Sequence, residues 1–248
     1  MPHSPFIGCA GWPVPKALDA QFPSKGTNLQ RYATRLNAAE INTSFYKPHR
    51  EATYARWAES TPPSFRFSVK MPKAITHEPG LLADEAHLLR FLSEIRGLGP
   101  KLGAILVQLP PHLRWDVAVA KPFFSSLRAR TRTPIVCEPR HLSWFTAEVD
   151  AFFKGHAISR VVADPPIKGL AAPGKPLGDT CYFRLHGSPR MYYSSYDNRF
   201  LTDLAAKMKT LMRKTQSTWC IFDNTASGAA AENALTLQTK LKGKIPTR

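Results

Sequence analysis

The chain has 248 residues, of which 34 are Lys or Arg and 18 are Asp or Glu, giving a formal net charge of +16. That balance excludes an acidic disordered tail, and 43% hydrophobic and 10% aromatic residues can bury a core for one large domain or two small ones, which excludes disorder as the main state. No run approaches the ~18 consecutive apolar residues of a membrane span.

The N-terminal stretch MPHSPFIGCAGW has neither the basic nor the apolar region of a signal peptide, so a soluble cytoplasmic protein is expected. Cys9, Cys137, Cys181 and Cys220 show no C-x-x-C spacing and each lies in a strand-like run, which predicts reduced, packed thiols.

In chain order, the strand-like runs are 6–12, 38–46, 65–72, 103–110, 134–141, 159–166, 181–188 and 218–225. Helical spacing falls between them. Leu29, Tyr32 and Leu36 follow Asn28 as the expected N-cap, and Tyr54 and Trp57 follow the second strand. Leu88, Phe91, Leu92, Ile95 and Leu98 make an amphipathic stripe. Phe123, Phe124 and Leu127 continue the period, as do Val149, Phe152 and Phe153, then Leu201, Leu204, Met208 and Leu211, and finally Ala234, Leu237 and Leu241. Between the sixth and seventh strands, Pro165–Pro166 and the stretch 171–176, rich in Pro and Gly, predict a poorly formed helix.

Strand–helix alternation repeated eight times in this length predicts an α/β protein, a single (β/α)8 TIM-like barrel of eight parallel strands over 1–248. An open doubly wound sheet is the alternative. It needs a glycine-rich phosphate turn after the first strand, where only Gly8 and Gly11 stand.

Barrel active sites lie at the C-terminal strand ends, and residues two apart on a strand share a face. Glu40 therefore points with Asn42, Glu138 with Arg140, and Arg184 with His186, while Ile41, Cys137 and Leu185 should meet the helices. Lys70, Gln108 and Asp164 end three further strands. The expected cluster sets Glu40, Glu138 and Asp164 against Lys70, Arg140 and Arg184, a nearly balanced set. On the eighth strand alternation places Asp223 with Trp219 and Ile221, and Asn224 with Cys220 and Phe222, so which of the two faces the mouth stays open. The same charges could serve only to fix the barrel's register.

His49, His77, His112, His141 and His186 fall near that face, so a mixed His/carboxylate divalent-metal site is considered. No tight ligand spacing supports it, and no cofactor is predicted. Phe45, Tyr46, Trp144, Phe145, Tyr192, Tyr193 and Tyr196 gather in the loops after strands two, five and seven, where Tyr and Arg suit stacking on a base or sugar and pairing with phosphate.

The segments IGCAGW, LNAAEINTSFYKPHREATYARWAESTP, FRFSVKMPKAITHE, LGAILVQLPP, CEPRHLSWF, RVVADPP, YFRLHGSPRMYYSSY and CIFDNTASGAAAENAL run in order over nearly the whole chain. On them the sequence resembles the YecE-like family, domain of unknown function family seventy-two. The resemblance implies a TIM-barrel-like fold and brings no established reaction. Its recurrent residues fall on Glu40, Asn42, Lys70, Gln108, Glu138, Arg140, His141, Trp144, Arg184, His186, Gly187, Tyr193 and Asn224, largely the strand-end set. Ala39 and Thr43 depart from the family's commoner Val and Ser.

The functional expectation is an enzyme acting on an anionic, phosphate-bearing substrate, which could be derived from nucleic acid, by acid–base or hydrolytic chemistry of a phosphoesterase or nuclease-like kind. Glu138, His186 and Lys70 are the catalytic candidates. Glu40, Asn42, Gln108, Arg140, Arg184, Trp144, Tyr193 and Asn224 are the substrate-binding candidates. The alternative is a nucleic-acid-binding protein without catalysis, using helix charges at Lys207, Lys209, Arg213, Lys214, Lys240, Lys242 and Lys244.

Overall fold

Each strand-like run forms a strand: β1 Phe6–Ala10, β2 Ala38–Ile41, β3 Arg66–Lys70, β4 Leu102–Gln108, β5 Ile135–Glu138, β6 Ile158–Asp164, β7 Thr180–Leu185 and β8 Ser217–Phe222. The computed structural model describes residues 4–82, 84–172 and 174–243. All eight strands pair in parallel in chain order, and β1 closes on β8 to complete a barrel. The connecting helices are α1 Asn28–Ala33, α2 Glu51–Glu59, α3 Lys73–Thr76, α4 Glu85–Ile95, α5 Val117–Arg130, α6 Ala147–Gly155, α7 Asn198–Leu211 and α8 Ala229–Lys242.

The period-2 alternation separates two apolar layers. Ile41, Cys137 and Leu185 pack outward with helix residues such as Phe91, Phe124 and Met208. Ala38, Leu106, Val136, Val161, Tyr182 and Trp219 fill the lumen. The four cysteines are free, buried and in the outward layer, where burial pushes the Cys9 and Cys181 thiols up to about 12. No described helix is long and apolar enough to cross a membrane.

One local expectation changes. The N-cap of α1 is Thr27, not Asn28: the Thr27 hydroxyl accepts from the Gln30 amide, and the Gln30 side chain accepts from the Thr27 amide, a reciprocal capping box. Gly8 belongs to no phosphate turn. A Cβ there would stand 1.9 Å from the Ala38 carbonyl oxygen and 2.9 Å from the Tyr32 hydroxyl. That hydroxyl accepts from the Cys9 amide and donates to the Ala38 carbonyl, closing the β1–β2 seam from outside. We expect Gly8→Ala to lower unfolding stability by roughly 1–3 kcal/mol, as overpacking does. An unchanged urea midpoint would show that the seam yields freely.

After β6 no α-helix forms among the described residues, as the Pro/Gly-rich stretch predicts; Pro173 of that stretch lies outside them. Arg160, facing outward and buried, occupies the gap. Its guanidinium pairs with Asp150 at 2.6 Å, donates to the Trp144 carbonyl and lies over the Phe145 ring, while its amide reaches the Leu177 carbonyl of the crossing segment.

The parallel topology also sorts the positive charge. Each crossover helix returns the chain to the start of the next strand, so helix C-termini gather at the barrel's N-terminal end. Arg128, Arg132 and Lys154 surround a cleft there beside Ile135, Ile158 and Thr180. Lys209 donates to the Lys240 and Gly243 carbonyls at the end of α8, where a cation also suits the helix dipole. Lys244 lies outside the described residues.

Candidate functional site

The opposite, C-terminal end of the lumen holds a network of charged side chains centred on Arg184. β7 alternation sends Tyr182, Arg184 and then His186 inward, and β2 sends Glu40 to meet them, although Glu40 and Arg184 stand 144 residues apart. The guanidinium donates from Nε and Nη2 to Glu40 at 3.0 and 2.7 Å, from Nη1 to Glu138 at 3.2 Å, and from Nη2 to Asp223 at 2.9 Å. All three carboxylates are buried. Glu40 takes a further bond from the Tyr182 hydroxyl at 2.9 Å, and that hydroxyl lies 2.7 Å from the Ser68 hydroxyl.

His186 bridges the other two carboxylates, with Nε2 2.9 Å from Glu138 Oε1 and Nδ1 3.1 Å from Asp223 Oδ2. An ionised carboxylate only accepts, so a carboxylate oxygen on each ring nitrogen favours the imidazolium form. Burial and Arg184 oppose that charge, but Glu138 and Asp223 outweigh them and raise the pKa above 6.5. Burial likewise works against ionised Glu138, yet His186, Arg184 and Arg140 hold its pKa far below the usual carboxylate range. Asp223 is lowered in the same sense, by Arg184 and His186 against burial.

Three carboxylates are thus matched by Arg184, the His186 imidazolium and Arg140, whose Nη1 reaches Glu138 at 3.0 Å. Lys70 has no carboxylate within ion-pair distance among the described residues. Its Nζ lies over the Phe45 ring, 3.8 Å from the centroid. Burial first and Arg184 second push the amine down from 10.5 to about 8, against the pull of Glu40, Glu138 and Asp223. Beside this set, Asn42 Nδ2 points at Asp223 Oδ1 at 3.5 Å, while Asn42 Oδ1 and Gln108 Oε1 are buried without a hydrogen-bond partner.

Comparison with known proteins places this barrel. The family model described as "Protein of unknown function DUF72" matches residues 6–247. The chain belongs to the DUF72 family. It is 23% identical over 92% of its length to the UPF0759 protein YunF of Bacillus subtilis strain 168, covering 91% of that protein. It is 32% identical over 105 residues, 42% of this chain, to the UPF0759 protein YecE of Escherichia coli K12, and that match spans only 37% of the relative. A crystal structure of a DUF72 family protein from Enterococcus faecalis V583 superposes with a TM-score of 0.82, with 24% identity and coverage of 98% of this chain and 97% of that one. Another, from Thermotoga maritima MSB8, gives 0.81 at 24% identity, covering 97% and 100%.

Within this DUF72 barrel, Glu40, Asn42, Lys70, Gln108, Glu138, Arg140, Arg184 and His186 come together at the mouth, and four other expected residues stand elsewhere. Asn224 faces outward. Its amide donates to the Ser194 carbonyl at 2.9 Å and to Asn233 Oδ1 at 2.8 Å, tying the loop after β7 to α8. Trp144 is buried with its indole N–H on the Leu113 carbonyl, and backs a cleft of about 500 Å³ shared with His77 and His112. Tyr193 is exposed on the loop after β7, under the Arg190 guanidinium at 4.0 Å. Asp164, assigned to the cluster by its place at a strand end, also faces outward, because Val161 is the inward parity of β6. Its carboxylate accepts from the Tyr196 hydroxyl at 2.9 Å.

Arg184 spends most of its donors on the three carboxylates, which ties the network together. Among the described residues, no group of three or more His, Cys, Asp or Glu side chains is arranged to hold a metal ion. His49 packs on Tyr54 and Trp57, His141 bonds Ser143, and His77 sits on the edge of Phe45. Sequence reasoning missed Tyr182, whose parity with Arg184 was the available clue, and placed Tyr192 only among the loop aromatics suited to stacking. The Tyr192 ring meets His186 edge-on at 5.8 Å, on a backbone with φ of 69°, a strained value for a bulky residue.

Proposed function

We propose that the protein is an enzyme that binds an anionic, phosphate-bearing substrate at the C-terminal mouth of the barrel and acts on it by proton transfer. The observation that carries this reading is the charge pattern of the mouth. Every carboxylate is already matched, and Lys70 remains as a cation without a counter-charge beside two unpartnered amide oxygens. An anion would supply the missing charge, and its hydroxyl or amino groups would satisfy Asn42 and Gln108. Arg140, with one nitrogen on Glu138, has donors left for the same anion.

Acid–base roles follow from which groups titrate near neutrality. Lys70, brought down to about 8, can exchange protons near physiological pH, and His186, raised above 6.5, stands at the same mouth as a proton donor. Glu138 and Asp223, held low, orient the His186 ring, so the acid–base work falls to His186 and Lys70 rather than to Glu138. Lys209 and the cleft of Arg128, Arg132 and Lys154 lie at the other end of the barrel, so they lend no support to a nucleic acid contacting both them and the mouth.

Titration calorimetry with inorganic phosphate tests this. Binding to the wild type is expected, weakening about tenfold or more in both Arg140→Met and Lys70→Met, since a charge-assisted hydrogen bond contributes ~1.5–3 kcal/mol. Equal binding by all three folded proteins would overturn the reading.

A further inference from the structure

The position of the Lys70 amine goes beyond what proton transfer requires. β3 delivers it to the lumen by parity with Ser68, and Val69 anchors the strand outward among the helices. Phe45, in the turn after β2, presents its ring face to the amine and is itself braced edge-on by His77 at 4.8 Å and Tyr46 at 5.0 Å. A buried lysine that serves only as structure is ordinarily paired with a carboxylate, because an unpaired buried charge is costly. Here the three nearby carboxylates are engaged by Arg184, Arg140, His186 and Tyr182. The amine is left buried, with Arg184 weighing against its charge and the Phe45 face partly offsetting that, and lysines desolvated near another cation are the ones that become nucleophiles.

We propose that Lys70 captures the carbonyl carbon of an anionic hydroxy-aldehyde or hydroxy-ketone as a Schiff base, with Arg140 holding the anionic end. The proposal rests on the anion-binding reading above and names the reacting group of that substrate. The lone pair of the free amine attacks the carbonyl carbon, and the carbonyl π pair becomes an alkoxide that takes up a proton. Nitrogen gives up one proton, and the resulting hydroxyl leaves as water once protonated, with the His186 imidazolium as the acid at the same mouth. Ammonium and carbonyl compound thus yield protonated imine and water, with no net change in charge or oxidation state. Asn42 Oδ1 and Gln108 Oε1 are placed as acceptors for the hydroxyls of such a substrate.

Burial and Arg184 support the chemistry. With the amine at about 8, roughly a quarter of Lys70 is unprotonated at pH 7.5, against about 0.1% of an ordinary exposed lysine. Its limited access, with only 7% of the residue exposed, works in the opposite direction, so preferential reaction at Lys70 would have to come from the site.

The test uses the full-length wild-type protein with glyceraldehyde 3-phosphate and sodium cyanoborohydride at pH 7.5, followed by peptide mass mapping over time. Lys70 is expected to form the reduced adduct at least tenfold faster than exposed Lys47, Lys121 and Lys168. Inorganic phosphate should slow labelling at Lys70 and not at those three. Labelling that follows exposure, with Lys70 no faster than Lys168 while phosphate still binds in calorimetry, overturns the Schiff base and leaves anion binding standing. Failure of phosphate to bind the wild type as well overturns the reading beneath it.

Discussion

Arg184→Met is expected to cost about 3–5 kcal/mol of stability, the range for removing one partner of a buried ionic network. The side chain it replaces is 1% exposed and bonds three carboxylates that are themselves buried. Methionine fills much of the volume, so the loss is mainly electrostatic. Glu40 would be left with the Tyr182 hydroxyl, while Glu138 keeps His186 and Arg140, and Asp223 keeps His186. Glu40 is therefore the most exposed to the change, and the double variant Glu40→Gln, Arg184→Met should recover part of the loss. Urea unfolding of the wild type and both variants measures this. A single-variant loss under 1 kcal/mol would mean that the lumen carboxylates do not depend on the guanidinium.

That network was legible in the sequence as far as parity reaches. Glu40, Glu138, Arg184 and His186 each lie on the inward parity of a short strand, and a closed parallel barrel brings inward strand ends to one mouth whatever their separation in the chain. Parity also contained the answer where a strand-end argument misled. Asp164 shares its face with Val162 and Arg160, and two charges on that face of SRVVADPP make it read as the lumen face, whereas Val162 packs among the helices. Asn224 differs in kind. It is buried and polar, but what it holds is the loop after β7, through an amide contact to Asn233 on a helix that follows it. Nothing local separates a buried asparagine that binds a loop from one that binds a substrate.

Lys70 marks the other limit. Its place on β3 was readable, but its lack of a carboxylate partner depends on Arg184, Arg140 and His186 having taken every acid nearby. That is a property of the whole mouth, invisible in the run FRFSVKMP. The same holds for the protonation of His186, which follows from two carboxylates arriving from β5 and the end of β8.

That protonation gives the wild type and His186→Gln a difference in stability that changes with pH in a defined direction. His186 has its folded pKa raised above 6.5, so its contribution is complete below that value and is lost as pH rises through the folded pKa. Each unit of elevation is worth about 1.4 kcal/mol on the low-pH side. Glu138 and Asp223 are lowered from 4.5 and 3.8, so their contributions are complete above those values and are lost as pH falls through the folded ones. The two slopes leave a plateau between about pH 5 and 6.5, set by the unperturbed carboxylate and imidazole ranges. Lys70 acts in the reverse sense above pH 8: its lowered pKa makes the unfolded chain bind the extra proton, so stability rises with pH there. Because Lys70 is present in both proteins, subtracting the two profiles isolates most of the histidine term. The wild type should exceed His186→Gln most at pH 5–6 and by progressively less toward pH 9, as read from urea midpoints at each pH. A gap that stays constant from pH 5.5 to 9 would mean that His186 does not carry a charge that it loses over this range, and the acid assigned to the mouth would have to be sought in another group.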